Sequence, residues 1–355
     1  MLTGSKRRLE AVAIALLMVS GTAVSSVPAA AQKVVMATWG GGVSDTWRES
    51  FAKPYQEATG TPVTIVEVPN PEAQVRAQAS APQYNAIIAS FFEAANLYKD
   101  GLIETFDAKD FPEIANIAEK YRLTTPDGRL IGMPVYFMYY GIALNTDLAK
   151  PSEMTSWQDL AKPKWKGQIA LNRPIYASTY DLVVMSYATG GNETNIEPGA
   201  KLFEKIADNA MTTFSSMAQM NQLLTRGEVA AGAYYSTRIW QMKREGLKNV
   251  EFVIPKEGSL MLPYVVVIPK GSFDRDTAKK WLNYIGKSEG QLKATEMSGY
   301  MPLNETAKLP PETEKLIGMP LAELKSKLIQ PDWAIIAAKQ QERVNLVEQI
   351  VARAK

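Results

Sequence analysis

Along the chain, short apolar runs rich in β-formers alternate with segments whose apolar residues recur at helical spacing. Residues 34–39 read as a strand ending in Gly40-Gly41-Gly42, and 44–58 as a helix with Trp47, Phe51 and Tyr55 on one stripe. Strands are predicted at 63–68 and 86–89, with a helical stretch at 74–79 between them; the second leads into Ser90-Phe91-Phe92. From Met133 to Leu144 the chain turns extended and aromatic, with Tyr136, Phe137, Tyr139 and Tyr140 in quick succession. The alternation then restarts, with strands at 168–171, 212–214, 229–234 and 250–254 and helices at 179–187, 200–207, 219–226 and 236–245. An extended run over 264–269 has the character of a return strand. Helices follow at 276–285 and 289–298, and the tail from Pro311 is helical, with 334–352 its longest amphipathic stretch.

Repeated strand–helix–strand spacing predicts the α/β class, with parallel strands covered by helices on both faces. Two such units flank one aromatic crossover, which leaves a cleft between them. Open α/β sheets take ligands beyond the carboxyl ends of their strands. The turns to watch are therefore Trp39-Gly40-Gly41, Ser90-Phe91-Phe92, residues 176–180, Ser215-Ser216 and Tyr234-Tyr235.

The first thirty residues carry a different pattern. Lys6, Arg7 and Arg8 precede an apolar run from Ala11 to Val24, and Ala29 and Ala31 form an A-x-A site before Gln32. Ser20, Gly21 and Thr22 interrupt the run, which falls short of the roughly 18 apolar residues of a membrane span. Residues 1–31 are thus expected to be a cleaved export signal that places the chain in the periplasm. Leu9-Glu10 continues the Arg pair poorly for twin-arginine export and favours the general secretion route.

Composition narrows the chemistry. The 355 residues include no cysteine and no histidine, which excludes disulfides, thiolate sites, cysteine nucleophiles and histidine-based triads. Removing the signal segment leaves 36 basic and 36 acidic residues, so a nucleic-acid partner is not expected. Gly40-Gly41-Gly42 lacks both the Lys-Ser/Thr of a phosphate loop and the spacing of a dinucleotide fingerprint. No metal or cofactor is expected.

Four segments carry a family resemblance: Thr155-Ser156-Trp157-Gln158-Asp159-Leu160 with Trp165-Lys166-Gly167, Arg226-Gly227-Glu228-Val229, Ile254-Pro255-Lys256-Glu257-Gly258, and Ser298-Gly299-Tyr300-Met301-Pro302-Leu303-Asn304. In this order they resemble the periplasmic solute-binding proteins of ABC importers, in the spermidine/putrescine-binding branch. The resemblance implies a two-lobed type II periplasmic binding fold with hinge strands, lobe 1 comprising 32–139 with 264–305 and lobe 2 comprising 140–263 with 306–355. It also implies a non-enzymatic monomer that closes over one small solute and presents it to a membrane permease.

In polyamine binders of this family, an aromatic box holds the methylene chain and carboxylates hold the ammonium groups. By motif, Trp39 falls on the first-strand tryptophan, Phe91 or Phe92 near the second-turn tyrosine, Tyr234 on another tryptophan and Tyr300 on the late Gly-Tyr tyrosine. The two family acids fall on Ser178 and Tyr264, so hydroxyls stand where carboxylates are expected. Asp181 and Glu93 are the nearby acids whose direction the sequence leaves open. Arg238 and Arg173, together with Ser178, Thr179, Ser215 and Ser216 near helix N-termini, could hold a carboxylate or similar anion. The expected solute is a small amine-bearing or zwitterionic molecule, with a polyamine as the alternative. The candidate contacts are Trp39, Gly40, Gly41, Phe91, Phe92, Tyr136, Tyr139, Ser178, Thr179, Ser216, Tyr234, Tyr235, Arg238, Tyr264 and Tyr300. Two further readings are less favoured. Tyr234-Tyr235 resembles the tyrosine pair of ferric-ion binders, but Arg238 beside it would repel a cation. An exported hydrolase would need two carboxylates facing each other across the cleft.

Overall fold

The computed structural model describes residues 32–354; the expected export signal, 1–31, lies outside the described residues. The described strands are β1 (Val34–Thr38), β2 (Val63–Glu67), β3 (Ala86–Ser90), β4 (Met133–Asn145), β5 (Ile169–Asn172), β6 (Ala210–Phe214), β7 (Ala231–Tyr235), β8 (Val250–Val253), β9 (Ser259–Val267), β10 (Met301–Pro302) and β11 (Leu328–Ile329). They form one hydrogen-bonded sheet in the order β2-β1-β3-β9-β4-β7-β5-β6, with β8 and β10 joined to β4 and β11 to β9. Two parallel units appear where the alternation predicts them. β1 lies between β2 and β3, and β5 between β6 and β7.

The expectation of parallel strands fails at the two longest ones. β4 and β9 run antiparallel to each other, β9 antiparallel to β3, and β4 antiparallel to β7. The chain leaves the first half along one and returns along the other, so their directions must oppose. β9 also begins at Ser259, earlier than the predicted 264, because Pro263 disguises a strand whose ladder continues through it opposite Phe137.

β4 changes partners along its length. Met133 to Tyr140 pair with β9, whereas Tyr140 to Leu144 pair with β7 and Ile142 to Asn145 with β8. Both halves of the sheet are therefore built on one continuous strand, with the exchange at Tyr140.

The predicted 44–58 helix begins at Gly42 and contains one wide π turn, Arg48–Ala52, before Lys53–Thr59. Its stripe of Trp47, Phe51 and Tyr55 is buried, and Trp47 and Tyr55 both meet Trp281. The predicted 334–352 helix is instead two, Trp333–Ala338 and Gln340–Arg353. Asp332 caps the first by accepting from the Ala334 and Ile335 amides. This first helix packs on Phe91–Lys99, and the second on Glu197–Ala207.

One apolar core gathers Trp47, Phe51, Phe111, Phe137 and Trp281. A second gathers Trp157, Leu182, Phe203 and Leu224 and runs on to Ile87, Phe91 and Trp333, so it crosses between the halves. The Ser236–Arg244 helix reaches across as well. The Arg244 guanidinium donates to the carbonyls of Glu296 and Met297 at the end of Ser288–Ser298, where a cation favours the helix dipole. Trp240 covers Gly299, at which a Cβ would stand 2.5 Å from the indole.

Gly141, just past the exchange point, has no room for a side chain: a Cβ there would lie 2.7 Å from Phe252, Ser259 Oγ and the Val253 carbonyl. Gly141→Ala is expected to cost about 1–3 kcal/mol by overpacking and to lower the melting temperature by a few degrees. An unchanged melting curve would show that the crossover strand is not held as tightly as these contacts imply.

Candidate functional site

Side chains alternate along β4, so Tyr136, Met138 and Tyr140 share one face while Phe137 and Tyr139 share the other. The register of β9 sets Tyr264 directly opposite Tyr136. Tyr264 meets Tyr136 at 5.6 Å between ring centroids, Trp39 edge-on at 5.8 Å and Tyr300 at 6.1 Å, and Tyr300 stacks on Tyr136 at 4.2 Å. Four rings from four separate segments thus form one cluster. Trp39 remains partly exposed, with Gly40 and Gly41 exposed after it. The Tyr136 hydroxyl accepts from Trp47 Nε1 at 2.9 Å, which anchors the cluster to the core of the first half.

A second ring cluster stands on the other half. Tyr140 meets Tyr235 at 5.1 Å and Tyr180 at 5.4 Å; Tyr180 stacks on Tyr176 at 6.0 Å and touches Trp333 edge-on at 6.4 Å. The two clusters sense each other. Burial pushes the Tyr264 phenol well above its ordinary value, and Tyr300, Tyr180, Glu93 and Tyr235 push it the same way. Between them Met138 Sδ receives weak contacts from the Thr237 and Tyr264 hydroxyls.

The acids left open by the sequence separate here. Asp181 is buried and accepts from the Tyr140 hydroxyl at 3.0 Å, to which Asn172 Nδ2 also donates at 3.0 Å. Burial pushes its carboxyl up to about 8, against the Tyr140 hydrogen bond. It braces the second cluster from beneath. Glu93 keeps some solvent contact and forms a capping box with Ser90, whose amide and hydroxyl donate to Oε2 at 2.8 and 2.9 Å. Burial pushes Glu93 up to about 7, opposed by those bonds. Its charge raises the phenols of Tyr176, Tyr180 and Tyr264, so its field acts on both ring clusters.

Arg238 supplies the opposite sign. It is partly buried, its Nη1 donates to Gln241 Oε1 at 3.1 Å, and among the described residues no carboxylate pairs with it. Burial raises the phenols of Tyr234 and Tyr300, and the Arg238 charge lowers both. Glu93 and Arg238 thus act on different members of the ring assembly.

Several candidate residues point elsewhere. Phe91 and Phe92 are both buried in the apolar core. Tyr139 lies on the far face of β4, edge-on to Phe252 at 5.2 Å. The Ser178 and Thr179 hydroxyls turn back to the Ile175 carbonyl within the π turn Ala177–Asp181. Ser216 caps Met217–Thr225 by accepting from the Gln219 amide. The Tyr234 hydroxyl is occupied by the Met217 carbonyl at 3.0 Å and Asn221 Oδ1 at 2.7 Å, so the Tyr234-Tyr235 pair does not converge on one point. Among the described residues no group of three carboxylates gathers for a metal ion.

Sequence reasoning missed Tyr176, Tyr180 and Trp333 as ring-cluster members. The first two are four apart at a turn already singled out, a spacing that puts them on one helix face. Trp333 lies far along the tail and carries no local signal.

The pattern defining the family "Bacterial extracellular solute-binding protein" matches residues 50–320. The chain belongs to that family. This solute-binding protein is 25% identical over 287 residues to the spermidine/putrescine-binding periplasmic protein 1 of Haemophilus influenzae, covering 79% of this chain and 78% of the relative. It is 24% identical over 336 residues to a putative 2-aminoethylphosphonate-binding periplasmic protein of Salmonella typhimurium, covering 91% and 94%. The crystal structure of the spermidine/putrescine ABC transporter substrate-binding protein of Streptococcus pneumoniae superposes with a TM-score of 0.74 at 22% identity, over 91% of this chain and 100% of that one. The fold is thus the two-lobed type II periplasmic binding fold. No helix among the described residues is long and apolar enough to cross a membrane.

A carboxyl titrating near 7 that ordinarily titrates near 4.5 gives the solute-binding protein a definite pH response. The folded state holds the extra proton, so the stability Glu93 contributes is complete below about pH 4.5 and is lost as pH rises through about 7. Glu93→Gln is expected to raise the melting temperature of the solute-free protein relative to wild type by more at pH 8 than at pH 5. Equal shifts at both pH values would show that Glu93 titrates as an ordinary surface carboxylate.

Proposed function

We propose that this receptor captures a small zwitterionic amine, with an ammonium at one end and a carboxylate or phosphonate at the other, and delivers it to an ABC permease. The observation that carries the reading is the pairing of a carboxylate, Glu93, with a guanidinium lacking a carboxylate partner, Arg238, on one assembly of aromatic rings. Glu93 takes the ammonium by a charge-assisted hydrogen bond, Arg238 takes the anion, and the faces of Trp39, Tyr180, Tyr235, Tyr264 and Tyr300 enclose the chain between them. An ammonium drawn to Glu93 favours its charged form, so affinity rises with pH through about 7. The two relatives whose names specify amine-bearing solutes support this class.

Lobe 1 is 32–139 with 264–305 and lobe 2 is 140–263 with 306–355, a division supported by the partner exchange of β4 at Tyr140. The tail binds to both, since Trp333–Ala338 packs on Phe91–Lys99 while Gln340–Arg353 packs on Glu197–Ala207. Ligand binding favours closure because Trp39, Glu93, Tyr264 and Tyr300 come from one lobe and Tyr180, Tyr235 and Arg238 from the other. The receptor is a periplasmic monomer released by cleavage after residue 31, and it converts nothing.

A polyamine is the second reading, favoured by the carboxylate whose field acts on the rings. It supplies one acid for two ammonium groups, because Asp181 is committed to Tyr140.

Calorimetry with 2-aminoethylphosphonate, γ-aminobutyrate, putrescine and spermidine separates the two. Zwitterions are expected to bind tightest, and Arg238→Ala to weaken them roughly ten- to a hundredfold, the size of a hydrogen bond to a charged group, with putrescine unaffected. Tighter binding of putrescine than of either zwitterion, together with indifference to Arg238→Ala, would overturn the zwitterion reading.

A further inference from the structure

One helix ties the two halves together at three successive turns. Ser236, Trp240 and Arg244 lie four residues apart along Ser236–Arg244, so they share one stripe of its surface. Ser236 meets the shared strand β4, and the other two meet the first half. Ser236 Oγ accepts from the Tyr139 amide at 3.1 Å, Trp240 covers Gly299, and the Arg244 guanidinium donates to the Glu296 carbonyl and, at 3.0 Å, to that of Met297.

Each contact falls where the partner's backbone is short of bonds or of bulk. β10 pairs with β4 at Tyr136 and Phe137, and β7 pairs with it from Tyr140 onward, both along the edge that β9 leaves free. Between them the Tyr139 amide meets no strand, and the Ser236 hydroxyl serves it instead. Gly299 ends the Ser288–Ser298 helix in the left-handed region, with φ 73°, and its missing side chain leaves the space that Trp240 occupies. The last carbonyls of that helix have no partners within it, and a cation is favoured beside them. Arg244 supplies that cation. Tyr300 follows Gly299 directly and stacks on Tyr136, so the stripe grips the chain one residue away from the ring cluster.

We propose that the Ser236–Trp240–Arg244 stripe is a clasp between the lobes, which favours the closed receptor and so sets solute affinity through residues that no solute touches. Eight residues of helix place Arg244 about 12 Å beyond Ser236, which stays on the crossover strand. A rotation of about 10° at that strand moves the Arg244 end by about 2 Å, past the reach of its hydrogen bonds, while the Ser236 contact is kept. Opening thus costs the Arg244 bonds first and the packing of Trp240 on Gly299 next. Closure that the protein favours by itself reduces what the solute must supply. The clasp rests on the division into lobes at Tyr140 and not on the zwitterion reading.

The test is a distance measurement by double electron–electron resonance on the solute-free protein. The chain has no cysteine, so spin labels at Lys248→Cys and Lys293→Cys attach nowhere else. Both positions are exposed, one just past the Ser236–Arg244 helix and the other on Ser288–Ser298, so they flank the clasp. Arg244→Ala is expected to move the distribution to longer distances and to lower the ratio of closed to open receptor roughly three- to tenfold, the size of a hydrogen bond at an exposed site. Arg244→Lys should shift it less, and Arg244→Glu, which sets a negative charge at a helix C-terminus, should shift it more. Arg244 is exposed, so none of the three is expected to unfold the chain. By calorimetry, 2-aminoethylphosphonate and putrescine should both weaken by one common factor in Arg244→Ala, because closure is shared by every solute. Distances unmoved by all three substitutions overturn the clasp. If they still shift when solute is added, the two lobes stand without it; if they never move, the lobe division falls as well. Weakening of the zwitterion alone also overturns the clasp, since Arg244 would then be a solute contact.

Discussion

The structure depends on a strand that both halves of its single sheet share. β4 is hydrogen-bonded to β9 before Tyr140 and to β7 and β8 after it, so bending there displaces one half relative to the other without breaking either ladder. Because side chains alternate, the same strand sends Tyr136, Met138 and Tyr140 to one face in sequence. The hinge is therefore also the floor of the site, and any closure that bends β4 changes the spacing between the two ring clusters. Gly141, the residue after the exchange point, lies so close to Phe252, Ser259 and the Val253 carbonyl that no side chain fits there.

Electrostatics in the cleft rest on few charges. The expected mature chain is balanced, with no long-range field to select a solute, so discrimination falls to groups that meet it after water has been displaced. In the proposed reading, Glu93 and Arg238 are those groups. Asp181, although acidic and central, is engaged by the Tyr140 hydroxyl, to which Asn172 also donates, and serves to hold the tyrosines in place. A carboxylate bound to its own scaffold is a poor ligand for an incoming ammonium, whereas Glu93 has only one of its oxygens engaged by Ser90.

The tail connects these regions. Its two helices pack on elements from different halves, and Trp333 touches Tyr180 on one side while lining an apolar cavity beside the Phe91–Lys99 helix on the other. A single indole thus joins the cleft to that helix, making the tail a structural partner of the hinge rather than a terminal appendage.

The alternation of strand and helix, the Trp47–Phe51–Tyr55 stripe and the parallel units on either side of an aromatic crossover were legible in the residues, because local periodicity is set by burial of one face. So were Trp39, Tyr264 and Tyr300, which follow recognisable turns or strands. The strand through Pro263 and the break at Lys339 were hidden, since a ladder tolerates a proline that periodicity rejects, and a helix can end where tertiary packing redirects it. Side-chain direction was hidden for a stronger reason. Ser178, Thr179 and Ser216 have the composition of ligand-binding hydroxyls, yet their own backbones satisfy them. Sequence determined which chemical groups were available and roughly where along the strands they lay. Only the tertiary structure decided that the field of Glu93 would act on the rings, Asp181 would brace them and Trp333 would join them, because those contacts form between segments far apart in the chain and depend on distances that no local pattern encodes.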